Sequence, residues 1–370
     1  MWIPAAFMAL LVSIAVTMSQ ERSRTNTDAL EIVTHGRMSV ARAAHQATVL
    51  PTGLVLVTGG CAGRGCSPIL ASTELYDPET RSFRGAAQMH VPRVSHAAVS
   101  LSDGSVLVTG GWTTGGLTTA RAEVYNPAQD RFIAAGEMTS ARASHVAVPL
   151  SDGRVLIIGG EVRTGVALSS VEIFDPAISR FSSANPMQAP RSFHVAVRLT
   201  DGRVLVAGGL GARGEALRSA EIFDPATGKF QFTGDMNVPR YKHAATVLRD
   251  GRVLLVGGSD GERDRTSSTE IFGPTTERFS PAPTLKRPRY KIPDAVVLLP
   301  SGAVVVAGGA ELVEVWHPSK HKFVTVKGQL DGLRDFATAT VLPTGEVLVL
   351  GGYDEHIRSS STAWLVRPVR

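Results

Sequence analysis

Cysteine is nearly absent: only Cys61 and Cys66 occur in 370 residues. One pair cannot complete a zinc tetrahedron without further thiolates or imidazoles, and it cannot staple a small disulfide scaffold. Charged residues are scarce, 19% against 43% hydrophobic, which leaves ample material for a buried core. Long helical patterns are also lacking, because 37 glycines and 21 prolines cut the chain into short runs with many turns. No nucleophile elbow, phosphate-binding loop, dinucleotide fingerprint or metal-ligand cluster stands out.

Residues 1–19 carry no ionisable side chain and are mostly apolar. They are expected to be a secretory signal, with the small residues Thr17 and Ser19 before the cleavage point, although the usual basic start is missing. Left uncleaved, the segment would tether the protein to a membrane. Residues 20–28 read as a polar leader, and 29–370 as a single domain. In an exported protein Cys61 and Cys66, joined by a Gly-rich loop, are expected to form a local disulfide.

What the chain has in abundance is repetition. Seven apolar runs end in Gly-Gly, at Gly59-Gly60, Gly110-Gly111, Gly159-Gly160, Gly208-Gly209, Gly257-Gly258, Gly308-Gly309 and Gly351-Gly352, and the middle spacings are 49 residues. Each unit carries two short apolar runs joined by a turn such as Asp103-Gly104 or Asp152-Gly153, predicted as type I′ hairpins. A third strand ends at Asp77-Pro78 and its equivalents, and a fourth begins at a single aromatic, Phe83, Phe132, Phe181, Phe230, Phe279 or Phe323. Four antiparallel strands per unit with a Gly-Gly signature resemble the kelch repeat, in a form that looks bacterial and exported. The resemblance implies an all-β, seven-bladed kelch-type β-propeller. Because the chain ends before the seventh unit has a fourth strand, the segment from Ala29 to Met38 is predicted to complete the last blade.

Arg42, Arg93, Arg142, Arg191, Arg240, Arg289 and Arg334 share one register, and Glu74, Glu123, Glu172, Glu221, Glu270 and Glu314 another. They are expected to pair within or between blades; the other reading is a ring of cations that holds an anion at the channel mouth. Trp364 takes the glutamate position in the seventh unit, so Arg334 is the arginine expected to be free. His45, His96, His145, His194 and His243 are expected to pack between blades and bond to backbone rather than bind metal.

Function should lie where the units differ. The loops after Gly-Gly vary and share one face with the Pro-Arg crossovers. There, units five to seven depart from the pattern and gather Arg240, Tyr241, Lys242, Arg263, Arg265, Lys286, Arg287, Arg289, Tyr290, Lys291 and Arg334 into a candidate basic and aromatic site.

The expected protein is a monomeric, non-catalytic scaffold without cofactor or metal, secreted, periplasmic or on the cell surface. Its expected partner is a protein or an anionic polysaccharide, and export argues against nucleic acid. The alternative is a sugar-modifying enzyme such as an epimerase acting at the channel mouth, since kelch-like propellers include epimerases resembling sialic-acid mutarotase. They also include copper radical oxidases resembling galactose oxidase. That resemblance implies a Tyr-Cys crosslink with Tyr and His ligands partly from an added domain, which this chain does not match.

Overall fold

The computed structural model describes residues 29–369 except 164, 263 and 264. The proposed signal and leader, residues 1–28, lie outside the described residues, as does Arg263. Seven four-stranded antiparallel sheets stand around one axis. In blade one the strands, from the axis outward, are Gln46–Val49, Val55–Thr58, Thr73–Asp77 and Ser82–Ala86. The innermost strands of successive blades pack on one another, and that of blade seven packs on blade one, which closes the ring. Second strands such as Val55–Thr58 and Val155–Ile158 are buried along their whole length, because blades stack on both faces. This explains why those runs are continuously apolar rather than alternating. Among the described residues, helix is limited to two short 3-10 turns.

Blade seven takes its outer strand from the other end of the chain. Leu30–Arg42 pairs antiparallel with Ser360–Pro368, from Leu30 opposite Pro368 to Arg37 opposite Thr362. The disulfide between Cys61 and Cys66 forms, and its loop reinforces the same seam, where Gly65 N donates to the Ile357 carbonyl and Ser359 N to that of Gly63.

The Gly-Gly pairs are the contacts between blades. The second glycine of every pair donates its N–H to the carbonyl of the next blade's arginine, from Gly60 to Arg93 (2.8 Å) round to Gly352 and Arg42 (3.0 Å). The first has positive φ and is packed so tightly that a Cβ at Gly159 would meet the Arg191 carbonyl at 2.5 Å and the His194 ring at 3.0 Å. The lone fourth-strand aromatics also have a reason. Phe83, Phe132, Phe181, Phe230 and Phe279 each pack on an aromatic directly across the ladder, such as Tyr76 for Phe83, with centroids 4.8–5.0 Å apart.

The hairpin turns differ from the type I′ expectation. In the turn at Asp103-Gly104 only the glycine has positive φ (+83°), Gly104 N donates to the Leu101 carbonyl, and the ladder resumes one residue later. This is a type I turn followed by a glycine bulge. The aspartate is used for its carboxylate, which accepts the N–H two residues on: Ser105, Arg154, Arg203 and Arg252 in four blades.

The arginines and glutamates pair within blades one to six at 2.7–3.0 Å, with every arginine fully buried. Each arginine lies on the crossover that enters its blade, just before the innermost strand. In blade four, Arg191 also donates to the Gly208 and Ser219 carbonyls, while Glu221 accepts the amides of Gln188 and Ala189. The pair therefore clamps the crossover onto the blade it enters. Removing one partner strands a buried charge, so Glu221→Ala is expected to cost about 3–5 kcal/mol in urea unfolding. The double variant Arg191→Met/Glu221→Leu should recover most of that loss; a single-variant cost below about 1 kcal/mol would show that the clamp is dispensable.

The histidines do pack between blades, but three of them meet threonine hydroxyls rather than backbone. His96 Nε2 lies 2.9 Å from Thr58 Oγ1, His145 Nε2 2.9 Å from Thr109 Oγ1, and His45 Nε2 3.1 Å from Thr338 Oγ1. The positions equivalent to Thr58 that face His194 and His243 are Ile158 and Ala207, which offer no hydroxyl.

Candidate functional site

On the crossovers, one non-glycine residue per blade has left-handed backbone: Ala44, Ser95, Ser144, Phe193, Lys242, Lys291 and Phe336, with φ between +50° and +58°. Each sits where the crossover turns down into the innermost strand. Their backbones are bonded almost all the way around the axis. Ser95 N donates to Ala44 O, Ser144 to Ser95, Phe193 to Ser144, Lys242 to Phe193, Phe336 to Lys291 and Ala44 to Phe336, at 2.8–3.2 Å. The step from blade five to six is made instead by Ile292 N to Lys242 O at 3.3 Å. A non-glycine residue in this conformation costs roughly 1–3 kcal/mol, and the ring of bonds holds it there.

Blades one to three present Ala and Ser at this ring, and blades four to seven present Phe, Lys, Lys and Phe. The mouth of the channel is thus open on one side and walled on the other. Lys242 Nζ lies 4.2 Å from the Phe193 ring centroid, and 5.5, 5.7 and 5.8 Å from those of Tyr290, Tyr241 and Phe336. Lys291 Nζ lies 5.0 Å from the Tyr353 ring, 5.3 Å from Tyr290 and 3.7 Å from Asp335 Oδ2. Tyr241 meets Tyr290 edge to face at 5.4 Å. Arg265 grips Asp335 with both terminal nitrogens, at 2.9 and 3.0 Å.

Burial pulls Lys242 down to about 8, the nearby charge of Lys291 adds to that, and Glu161 and Asp335 pull it partly back. Burial pushes the Tyr290 and Tyr353 hydroxyls up. It also raises Glu161, which accepts a hydrogen bond from Ser144 Oγ at 3.2 Å.

Below the mouth the channel holds a cavity of about 300 Å³ lined by all seven blades. Much of its wall is small and apolar, including Ala98, Ala147, Ala196 and Ala245. Asp294 projects into it and accepts a hydrogen bond from Gln46 Nε2 across the channel, at 3.0 Å. Water reaches this carboxyl, yet protein encloses it on nearly every side, and that enclosure pushes it up to about 6.

Of the residues singled out in the sequence, the structure brings together Tyr241, Lys242, Arg265, Tyr290 and Lys291. Three arginines leave the candidate set. Arg240 and Arg289 are fully buried in the clamps with Glu270 and Glu314, so a ligand cannot reach their charge. Arg334 is not free, because Asp331 replaces the missing glutamate at 2.5 Å while the guanidinium lies over the Trp364 ring. Lys286 and Arg287 are exposed on the same face but farther from the axis, above the third strand of blade six, where Glu314 accepts their amides and Glu311 pairs with Arg287. The sequence reading did not select Phe193, Phe336 or Tyr353. The register Ala44, Ser95, Ser144, Phe193, Lys242, Lys291 and Phe336 was a signal that could have found the first two.

The sequence signature of the kelch motif matches residues 42–90, 142–188, 191–237 and 240–286, a little over half of the chain. The protein belongs to the kelch-repeat family. No curated protein matches it. Among solved structures this kelch propeller is similar to a fungal alcohol oxidase of the AA5 family in complex with copper, at 17% identity, covering 91% of this chain and 75% of that one with a TM-score of 0.70. At that identity the likeness shows the fold, and 1256 matching solved chains make the fold too widespread to indicate an activity. The donor set here does not fit that oxidase's copper. Among the described residues no three of His, Cys, Asp or Glu stand together as ligands, and both cysteines are tied up in the disulfide.

Proposed function

We propose that this kelch propeller is an exported binding scaffold that receives an acidic saccharide at the channel mouth. Kelch propellers commonly serve in recognition, and the observation that carries this reading is the pairing of Lys242 and Lys291 within a wall of five aromatic rings. The ammonium groups supply charge for a carboxylate, and the rings supply flat surface for a sugar. The rigid seven-bladed frame means little ordering is needed on binding.

The expected result with an oligogalacturonate probe is salt-sensitive binding, weakened at least tenfold by Lys242→Met and more by Lys242→Met/Lys291→Met. Affinity should fall as pH rises through about 8, where Lys242 loses its proton. Binding that ignores pH, salt and both lysines would overturn the proposal.

One observation favours a second reading, a sugar epimerase. A lysine lowered to about 8 beside a cavity can act as a general base. The two readings have opposite pH dependence: a base works better above 8, whereas an anion site works worse. Exchange of sugar protons with deuterated solvent, followed by NMR across that range, separates them.

A further inference from the structure

Blade six breaks the repeat inside the channel. Between the clamp arginine and its Gly-Gly carbonyl the other blades have a separation of 17 residues, but Arg289 and Gly308 are 19 apart. The two extra residues are Pro293 and Asp294. They form a turn between Ile292, which stands in the histidine position, and Ala295, which pairs with Ala307. The turn is fixed by Ala295 N to Ile292 O at 3.1 Å and by Ala339 N of blade seven to Asp294 O at 2.7 Å. An insertion that could have been accommodated on the surface is instead held in the channel, with its carboxylate in the cavity.

That carboxylate lacks what the other enclosed acids of the propeller have, Glu161 excepted. Asp335 and the six third-strand glutamates each meet an arginine, whereas Asp294 has among the described residues one amide donor, Gln46, and no cation. The other titratable groups lining the cavity are His96, His145 and His194, which burial holds neutral, and Lys242 at the mouth. An ionised carboxylate that stands open to a channel walled largely by alanine and valine suits a group that brings both positive charge and several hydrogen-bond donors. A primary ammonium, with three donors, does so.

We propose that the channel below the mouth is a subsite for a primary ammonium group, so that the ligand is an acid that also carries an amine, its anionic end on Lys242 and Lys291 and its ammonium on Asp294. This rests on the reading of the mouth as the anion site. The cavity accommodates a small ligand or the end of a larger one. Amine binding requires Asp294 ionised, so it should weaken as pH falls through about 6.

The test uses the folded full chain and titration calorimetry with ω-amino acids from β-alanine to 6-aminohexanoate, together with butyrate, propylamine and 4-hydroxybutyrate. One amino acid is expected to bind at least tenfold tighter than butyrate or propylamine, with the optimum chain length reporting the span from Lys242 to Asp294. Asp294→Asn should abolish that advantage, and so should deletion of Pro293 and Asp294, which restores the spacing of the other blades and guards against a substitution that merely perturbs folding. Equal binding of 4-hydroxybutyrate, or an advantage that survives both variants, would overturn the proposal. Propylamine binding that depends on Asp294 while butyrate and oligogalacturonate fail to bind would support the subsite and remove the anion reading of the mouth.

Discussion

Removing residues 29–38 is expected to open the last blade and make the chain aggregate. These residues form most of the outer strand of blade seven, pairing with Ser360–Pro368, and they bury Ile32 and Met38. Ile32 N also donates to the Lys327 carbonyl of the preceding crossover, and the Met38 side chain packs against Gly351. Without the strand, a long ladder edge is exposed beside a core containing Ala363, Trp364 and Leu365, and such an edge pairs with other chains. Size-exclusion chromatography should show aggregate in place of the full-length chain's own peak. A synthetic peptide of residues 29–42, added during refolding, should restore that peak by supplying the strand in trans. A truncated chain that elutes like the full-length one and melts at the same temperature would show that the ring closes without it.

The second large effect expected is acid unfolding in a narrow range. His45, His96, His145, His194 and His243 are all buried. Burial first, and the neighbouring clamp arginines second, hold their pKa values far below normal, to about 3 for His96 and His194. Below pH 6.5 the unfolded chain takes up protons that the folded chain refuses. The stability from neutral histidines is therefore fully present above 6.5 and is lost as pH falls from there toward 3. Each such group costs about 1.4 kcal/mol per pH unit, so five acting together would exhaust a typical domain stability of about 5–15 kcal/mol within roughly one to two pH units. Asp294 opposes this, since its raised value adds stability as pH falls through about 6, and Glu161, also raised, acts in the same direction, but they are two groups against five. Urea midpoints should drop steeply between pH 6.5 and 5, and net proton uptake on unfolding near pH 5 should be about four, the histidines' five less the one Asp294 releases. His194→Leu should reduce that uptake by one. A midpoint unchanged from pH 7 to 5 would contradict the account.

Repetition made the scaffold legible. The Gly-Gly pairs, the arginine and glutamate registers and the lone fourth-strand aromatics recur because every blade must meet its neighbour in the same way, and a contact made seven times leaves a period in the chain. The strand that closes the ring was legible for the same reason: the seventh unit lacked a part, and the segment before the first unit matched it. The hairpin turns were read less well, since Asp-Gly suits two turn types and only the backbone angles distinguish them.

The site was half legible. The tyrosine-lysine pairs of blades five and six broke step visibly, and they do meet at the mouth. The sequence could not show that Arg240 and Arg289 are buried in clamps while, two residues on, Lys242 lines the channel and Lys291 reaches Asp335. That difference arises from a single left-handed residue in each crossover, which redirects the chain between clamp and strand. Nor could it show that Arg334 finds Asp331, three residues away, once Trp364 removes its glutamate. The spacing of 51 residues between Gly257 and Gly308 did record an insertion, but a count does not give a direction. Sequence alone determined the seven blades, their order and their closure, because local strand patterns and a period suffice for these. Only the tertiary structure decided which side chains share the channel, because residues from seven blades become neighbours only when the ring closes.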